Sequence, residues 1–583
     1  MRCETSFFSL TLYKKLLTRY WPMWAVWLVI WLSALPISLL NASDAPPSQL
    51  SRMAADFAHY TTGASLAITF AAIIVAVGVF FYLFKGKAMT LMGALPLRRE
   101  GLFATACAAG LSILLFPLVA VVLVTIPVEA ALGCLNVPAL LKFLGGCALT
   151  GFFWFSFAAL CCVISGSAVA SAAFYFIFNG VVSVMFMLLD SLCDLFFYGF
   201  GGFPYAVGAA VDWCTPAFNL FRSGADWWER AWIYAGVGFL MLLAALGLHH
   251  IRRAERAGDL VSFTALRYAF KVCVILCGGL SLGMLFTALF FGRLDIQSIG
   301  LPLTLCCCAA AVLCAFVAEM LLKKTFRVWK SWRWAAAAAL AFALGLAVPQ
   351  YDLIGYVDRV PAPDRVTEAV ASFSGAEISS LASGGLVYRG EEAVTTLERL
   401  HRYALEHRRG EETPGEYMGS YRVELSYTLK SGFTLTRSYS FSPGDSPQGH
   451  ALVDLIHEAV AAGKATFTPP SLSPSGGAIT WNNGDYSTGV SVEAPAADDL
   501  LAAVMEDVEA GRYAVPVGDP EPAAVILTFY WEDIWGSSTR QNFYCSPSTT
   551  ATNAAVARLY PSVPDQLVLP DTEALGGGEE IVD

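Results

Sequence analysis

Histidine, cysteine and carboxylate side chains are all present in this 583-residue sequence, but few stand at spacings that could do chemistry. Ten of the fifteen cysteines (Cys107, Cys147, Cys161, Cys162, Cys273, Cys277, Cys306, Cys307, Cys308 and Cys314) lie inside apolar runs, where cysteine acts as a small hydrophobe. The triplet at 306–308 lacks the ligand intervals of a zinc site, so no metal is expected. In the C-terminal part, His401 and His407 are six apart, the wrong spacing for one helical face. His457 in "LIHEA" reads as an ordinary helix residue. No H-E-x-x-H, G-x-S-x-G or partnered S-x-x-K motif occurs. Nucleotide chemistry fails the same test. "FKGKAM" and "AAGKAT" each lack the upstream glycine and the final Ser/Thr of a phosphate-binding loop. The chain is therefore not expected to be an enzyme or to hold ATP and magnesium itself.

The elements around these residues explain why. The sequence is 56% hydrophobic and 14% charged, against about 25% charged for a soluble globular protein. Its charge is divided. Residues 1–348 hold 23 Lys+Arg and 14 Asp+Glu, net +9. Residues 349–583 hold the remaining 14 and 33, net −19, and the two sum to the overall −10. A greasy basic part precedes a polar acidic one.

Crossing a bilayer takes about 20 apolar residues. Nine segments meet or approach that: 21–40, 63–84, 102–126, 143–164, 169–189 or longer, 231–249, 270–292, 300–322 and 332–348. The first lacks a small-residue cleavage site and reads as a retained span rather than a signal peptide. Lysine and arginine cluster in 1–20, 85–101, 250–269 and 323–331, while 41–62, 127–142, 190–230 and 293–299 carry few. By the positive-inside rule the N-terminus faces the cytoplasm, and 349–583 lies outside a plasma membrane. Cys134 and Cys214 then both fall in outer loops, where a disulfide between them is one alternative and two free thiols the other.

Two basic segments look helical. In 6–20, Phe8, Leu12, Leu16 and Tyr20 share one side and Lys14, Lys15 and Arg19 the other. This is an interfacial helix, or else only a topology signal. In "KAMTLMGALPLRRE" (87–100), Ala88, Leu91, Met92 and Leu95 recur at helical spacing, and Pro96 ends the helix. Its apolar side needs a cover, either lipid or a groove on a partner.

The order of these features resembles a bacterial ABC exporter permease of type 2, in the Gram-positive subgroup with a C-terminal extracellular domain. "RYWPMW" (19–24), "LPLRRE" (95–100), "GLFATACAAGL" (101–111), "HHIRRAERAGD" (249–259), "AEMLLKKTFRVWKSW" (318–332) and "YDLIGYVDRVP" (351–361) carry the resemblance. It covers residues 1–361, and the remainder loosely. It implies that the helix after the second span docks into a cleft on a separate ATPase subunit. Ala88, Met89, Leu91, Met92 and Leu95 would dock, ahead of Pro96, and Arg98 and Arg99 would anchor the third span at the headgroups. A second permease copy or paralogue is the other implied partner.

Within the membrane, Asp190 and Asp194 in "MLLDSLCDLFF" sit one turn apart. About 21 apolar residues precede them, so an outer interfacial pair is favoured over an intramembrane site. Residues 191–204 would form a partly inserted re-entrant segment, as the resemblance implies. Glu319 would be neutralised by Lys323, one turn on. Gly279 and Gly283 form a GxxxG pair that packs helices, within one chain or between two. Trp21, Trp24, Trp27, Trp227, Trp228, Trp332 and Trp334 lie mostly near span ends, as an aromatic belt would.

Residues 349–570 read as an α+β domain, followed by an acidic tail at 571–583. An internal duplication is visible. Copy one (391–463) has a helix at 391–408, strands at 421–429 and 433–441, and a helix at 450–463. Copy two (497–559) has a helix at 497–511, strands at 524–531 and 539–545, and a helix at 552–559. A turn-rich linker, "TPPSLSPSGGAITWNNGDYSTG", joins them. The domain's −19 would repel anionic polymers, and no nucleic-acid partner is expected.

The expectation is a polytopic α-helical permease subunit, in contact with membrane lipid, moving an amphiphilic, lipid-like or peptide substrate. A membrane receptor with an extracellular ligand-binding domain, or a structural envelope protein, remain the alternatives.

Overall fold

The computed structural model describes residues 8–58, 60–94, 97–222, 227–252, 258–292, 298–374, 385–407, 421–443, 447–465, 474–482, 487–510, 525–532, 538–545, 549–561 and 563. Contacts divide the chain into two compact units. One is Met1–Leu189 with Tyr205–Leu346, the other Asp190–Pro204 with Ala347–Asp583. The acidic tail lies outside the described residues.

The first unit is helical: α1 (Leu10–Arg19), α2 (Trp21–Ala34), α3 (Pro36–Asn41), α4 (Pro47–Asp56), α5 (Tyr60–Val79), a 3-10 turn at Phe81–Phe84, α6 (Gly86–Gly93), α7 (Arg99–Ala131), α8 (Val137–Ile164), α9 (Ala168–Phe196), α10 (Tyr205–Trp213), α11 (Pro216–Phe221), α12 (Trp227–Ile251), α13 (Thr264–Phe291), α14 (Gly300–Lys323) and α15 (Trp332–Gln350). Among the described residues, eight helices are long and apolar enough to span a bilayer, so this is a multi-pass membrane protein. The first of the eight joins α2 and α3 across Pro36, which has no N–H to continue the helical ladder. The segment expected as the second span, 63–84, differs. Its apolar helical part is only Gly63–Val79, and the chain then tightens into the 3-10 turn.

Helix α1, expected at the membrane interface, is fastened to protein. Its Ser9 N-cap N–H donates to Thr105 Oγ1 (3.2 Å), and Tyr13 OH donates to Ser112 Oγ (2.8 Å), which fasten it to α7. The aromatic belt is also smaller than the sequence suggests. Trp21, Trp24, Trp332 and Trp334 are exposed, but Trp27 and Trp227 are buried. The two buried indoles donate to Leu114 O (3.1 Å) and Leu220 O (3.2 Å). A buried indole N–H needs such a partner, and a bundle interior supplies one where lipid does not.

Gly279 and Gly283 pack within one chain. A Cβ on Gly279 would lie 2.6 Å from Phe342 of α15, and one on Gly283 would lie 2.6 Å from the Cys307 Cα of α14. Cys307 thus serves as small filler where helices nearly touch. Gly283→Leu is expected to lower the melting temperature of the detergent-solubilised protein by an amount equivalent to about 2–3 kcal/mol. Gly345→Ala, whose Cβ would meet nothing within 4 Å, is the neutral control. Glu319 is more tightly held than expected. It accepts from Lys271 on α13 (2.5 Å) and forms an ion pair with Lys323 (3.2 Å).

The second unit holds two α+β layers. The first is built from β1 (Val366–Ser374), β2 (Leu386–Tyr388), α16 (Glu391–Glu406), β3 (Tyr421–Leu429), β4 (Thr434–Phe441), α17 (Pro447–Ala462) and β5 (Lys464–Ala465). Its antiparallel sheet runs β4-β3-β1-β2-β5. The other has β6 (Gly476–Asn482), β7 (Ser487–Glu493), α18 (Ala494–Glu509), β8 (Ile526–Glu532), β9 (Ser538–Tyr544) and α19 (Thr550–Leu559), in the order β7-β6-β8-β9. Each layer reads strand, strand, helix, strand, strand, helix. With β5 set aside, the two strand orders are the same when one is read backwards.

The helices and later strand pairs fall close to where periodicity predicted them. The first strand pair of each layer was not expected, and the supposed linker between copies contains β6 and β7. Gly476 and Gly477 begin β6 because neighbouring strands crowd them. A Cβ on Gly477 would sit 2.7 Å from Thr528 O. In the cores, Val394, Leu397, Leu400 and Ala404 of α16 cover Tyr421, Val423, Leu425 and Tyr427 of β3. His401 belongs to this core. It is fully buried, stacks on Tyr427 at 5.7 Å, and burial holds its pKa down to about 3, so it is a neutral packing residue. His407 is exposed at the end of the same helix, so the two do not form a pair.

Candidate partner-docking site

Helix α6 begins after Lys85, whose backbone is extended, and runs for eight residues. Ala88, Met89 and Met92 turn inward and pack on the core of the helical unit. Leu91 points the other way and is 70% exposed, with Lys87 and Thr90 exposed beside it. The expected docking face therefore divides. Met89 and Met92 fix the helix to its own bundle, and Leu91 alone of the described apolar residues is offered outward. Leu95 and Pro96 lie outside the described residues. An isolated helix of this length would not persist in water, so the inward face is what holds it.

The frame behind α6 rests on a residue that charge counting treats as one of many. Arg252 follows α12 and is 1% exposed. Its Nη1 donates to Cys162 O (3.0 Å) and Val163 O (2.8 Å) at the end of α8. Its Nη2 donates to Leu83 O (3.0 Å) in the 3-10 turn that leads into α6. One guanidinium fork thus ties three elements through carbonyls that have no other helical partner. Burial lowers its pKa to about 10, which leaves it a cation at neutral pH. Arg99 is likewise engaged with protein. It donates to His250 O (3.1 Å), while Glu100 pairs with His250 Nδ1 at 2.9 Å. Arg98 is the residue before α7.

The neighbouring loops complete the frame. Gly258 N–H donates to Gly166 O (2.7 Å), Gly166 N–H to Asp259 O (2.9 Å) and Ser262 N–H to Ile164 O (2.9 Å). Lys324 Nζ donates to Gly258 O (2.6 Å), and Arg267 pairs with Asp259 (2.9 Å). Gly258 and Asp259 of one sequence stretch and Lys324 of another are thereby brought to one place. Sequence reasoning counted these cations for orientation only. Nothing in the sequence separates Arg252 from its basic neighbours, because its acceptors come from positions 83, 162 and 163.

The second unit has its own unexpected junction. Residues 191–204, expected as a re-entrant segment, finish a helix at Phe196 and then pack on a sheet. Helix α9 continues through Asp190, which is half-buried, and Asp194, which is exposed. The chain after Phe196 then lies along β4, the edge of the first sheet. Phe200 bridges Arg437, Ser438 N–H donates to Gly199 O (3.2 Å), and Thr436 Oγ1 donates to Gly202 O (2.7 Å). Phe197 and Phe200 bury against Val357 and Tyr356. Their apolar run suggested lipid, but protein covers it.

Arg437 locks the same point to the chain that follows α15. It is buried, its guanidinium lies 4.0 Å over the Tyr356 ring, and it donates to Tyr356 O and to Arg359 O (3.1 Å). Asp352 shapes that turn, at a φ of 43°, by accepting from Tyr356 N–H (2.7 Å) and Val357 N–H (2.9 Å). Thus both stretches that belong to this unit, 190–204 and 347 onward, meet on β4.

Cys134 is buried, Cys214 is exposed, and both are free thiols, so the structure has no disulfide between them. Among the described residues, no group of three or more His, Cys, Asp or Glu side chains could hold a metal ion. No protein-family model matches the chain, and no curated protein is significantly similar to it.

Proposed function

We propose that this chain is the membrane-spanning permease subunit of an ATP-driven exporter of the type 2 ABC kind. In this reading α5 completes nine crossings, α6 faces the cytoplasm, and the α+β unit, two copies of one ancestral element, lies outside the cell. ATP and magnesium belong to a separate ATPase, a second permease copy completes the pathway, and the cargo is amphiphilic, lipid-like or a peptide. The observation that carries the reading is α6. A short helix joins two apolar helices, is braced from behind by Met89 and Met92, and presents Leu91 to a partner.

Leu91→Asp is expected to reduce co-purification of the ATPase by about 30-fold, the loss of one buried anchor. The fold should be intact, because Leu91 is exposed and is not among the described residues packed on the core. Unchanged co-purification would refute the docking role.

A sensor reading draws support from the junction on β4. The outer unit there holds the chain after α9 and after α15 together, so a ligand bound to the unit would bear on both. Ligand binding without movement of cargo across the bilayer would favour it.

A further inference from the structure

We propose that the trough between α2, α5 and α9 is a binding site for an anionic glycerophospholipid of the bilayer. Its walls are apolar: Met23, Phe70, Ile74, Val77, Val169 and Phe176 are among the lining residues, and no acidic residue is. Several of these are open to the surroundings; Phe70 is 50% exposed, Ile74 55% and Val169 81%. One end is different. Arg19 lines it, and Lys85 stands 4.9 Å over the ring of Phe81, another lining residue. Both cations are exposed, and neither has an acidic partner among the described residues.

This polarity selects the occupant. Two cations at one end of an oily trough, held only over the faces of Tyr20 and Phe81 and without an acidic partner among the described residues, match a phosphodiester with acyl chains below it. A zwitterionic lipid brings its own cation to the same place, and an apolar helix leaves the two charges unanswered. At the trough floor Tyr20 OH donates to Gly78 O (2.5 Å) and ties the start of α2 to α5. A smaller cavity shares Arg19, Tyr20, Gly78 and Phe81 and reaches Ala88 and Met92 beneath α6. The trough thus shares one wall with the cavity beneath α6. The proposal needs only that the chain is embedded in a bilayer, and it stands whether or not an ATPase docks on α6.

The test is native mass spectrometry of the full chain released from nanodiscs of mixed phosphatidylglycerol and phosphatidylcholine. Wild type should retain phosphatidylglycerol in preference. Arg19→Gln with Lys85→Gln should lower that retention by about 30-fold, the attraction of two surface cations. Lys14→Gln with Lys15→Gln, equal in charge but on the exposed side of α1, should leave it unchanged. Ile74→Trp, which fills the trough without altering charge, should also expel the lipid. Equal retention of both lipids, or equal losses from the two double variants, would overturn the proposal. So would an Ile74→Trp protein that keeps its lipid but loses self-association, since a second copy would then be the occupant.

Discussion

Gly201→Val will free the chain between α9 and α10 from the first sheet. A Cβ at this position would lie 2.7 Å from Arg437 N and 2.9 Å from Thr436 C. Those are backbone atoms of β4, whose other side is paired to β3 along its length, so no flexible side chain can move aside. The loop must lift. It then loses the Ser438 N–H bond to Gly199 O and the Thr436 hydroxyl bond to Gly202 O, and Phe197 and Phe200 lose their cover. Two hydrogen bonds and two partly stripped aromatic rings put the cost at about 3–5 kcal/mol. Hydrogen exchange should read it directly, as lost protection at Ser438 and through 197–202, with the buried core of β3 unchanged. Gly202→Ala is the control. It has φ of 83° but open space around it, so only backbone strain of about 1–2 kcal/mol applies. Equal exchange in the two variants would mean that the close approach does not hold the loop.

Arg252→Ala is expected to loosen α6 from behind. The substitution leaves Leu83 O, Cys162 O and Val163 O without their shared donor. Carbonyls buried without partners cost about 1–3 kcal/mol each, and a cavity adds to the loss. Several kcal/mol should therefore be missing from the stability of the helical unit. Arg252→Lys should rescue little, because one ammonium cannot span acceptors on a helix end and a separate turn as a planar fork does. Proteolysis in detergent provides the measurement, with cleavage near Lys85 and Lys87 rising in both variants. Full protection in Arg252→Lys would show that charge, and not the fork, is what matters there.

The two sites differ in how visible they are in the sequence. Helix α6 is legible because Ala88, Leu91 and Met92 repeat at helical spacing between two apolar runs. Which of those residues stay exposed is not, because the bundle itself takes Met89 and Met92. In the second unit, α16 and β3 announce themselves through a three-to-four residue period and a two-residue period. β1, β2, β6 and β7 are less marked. Gly476 and Gly477 at the start of β6 read as a turn until the crowding by Thr528 O explains them.

Sequence alone determined the class of the molecule, because long apolar runs have one stable setting, and that setting is read from composition without any knowledge of neighbours. It also determined the positions of most helices, since hydrophobic period is a local property of the chain. Tertiary structure decided everything that depends on what covers a residue. The stretch 197–204 is as apolar as a membrane segment, yet it lies on β4. Arg252 looks like any other basic residue, yet it is buried against carbonyls 89, 90 and 169 positions away. An apolar side chain gains by leaving water whether lipid or protein receives it, and a guanidinium takes whichever acceptors the fold brings near. Neither choice is written at the residue itself.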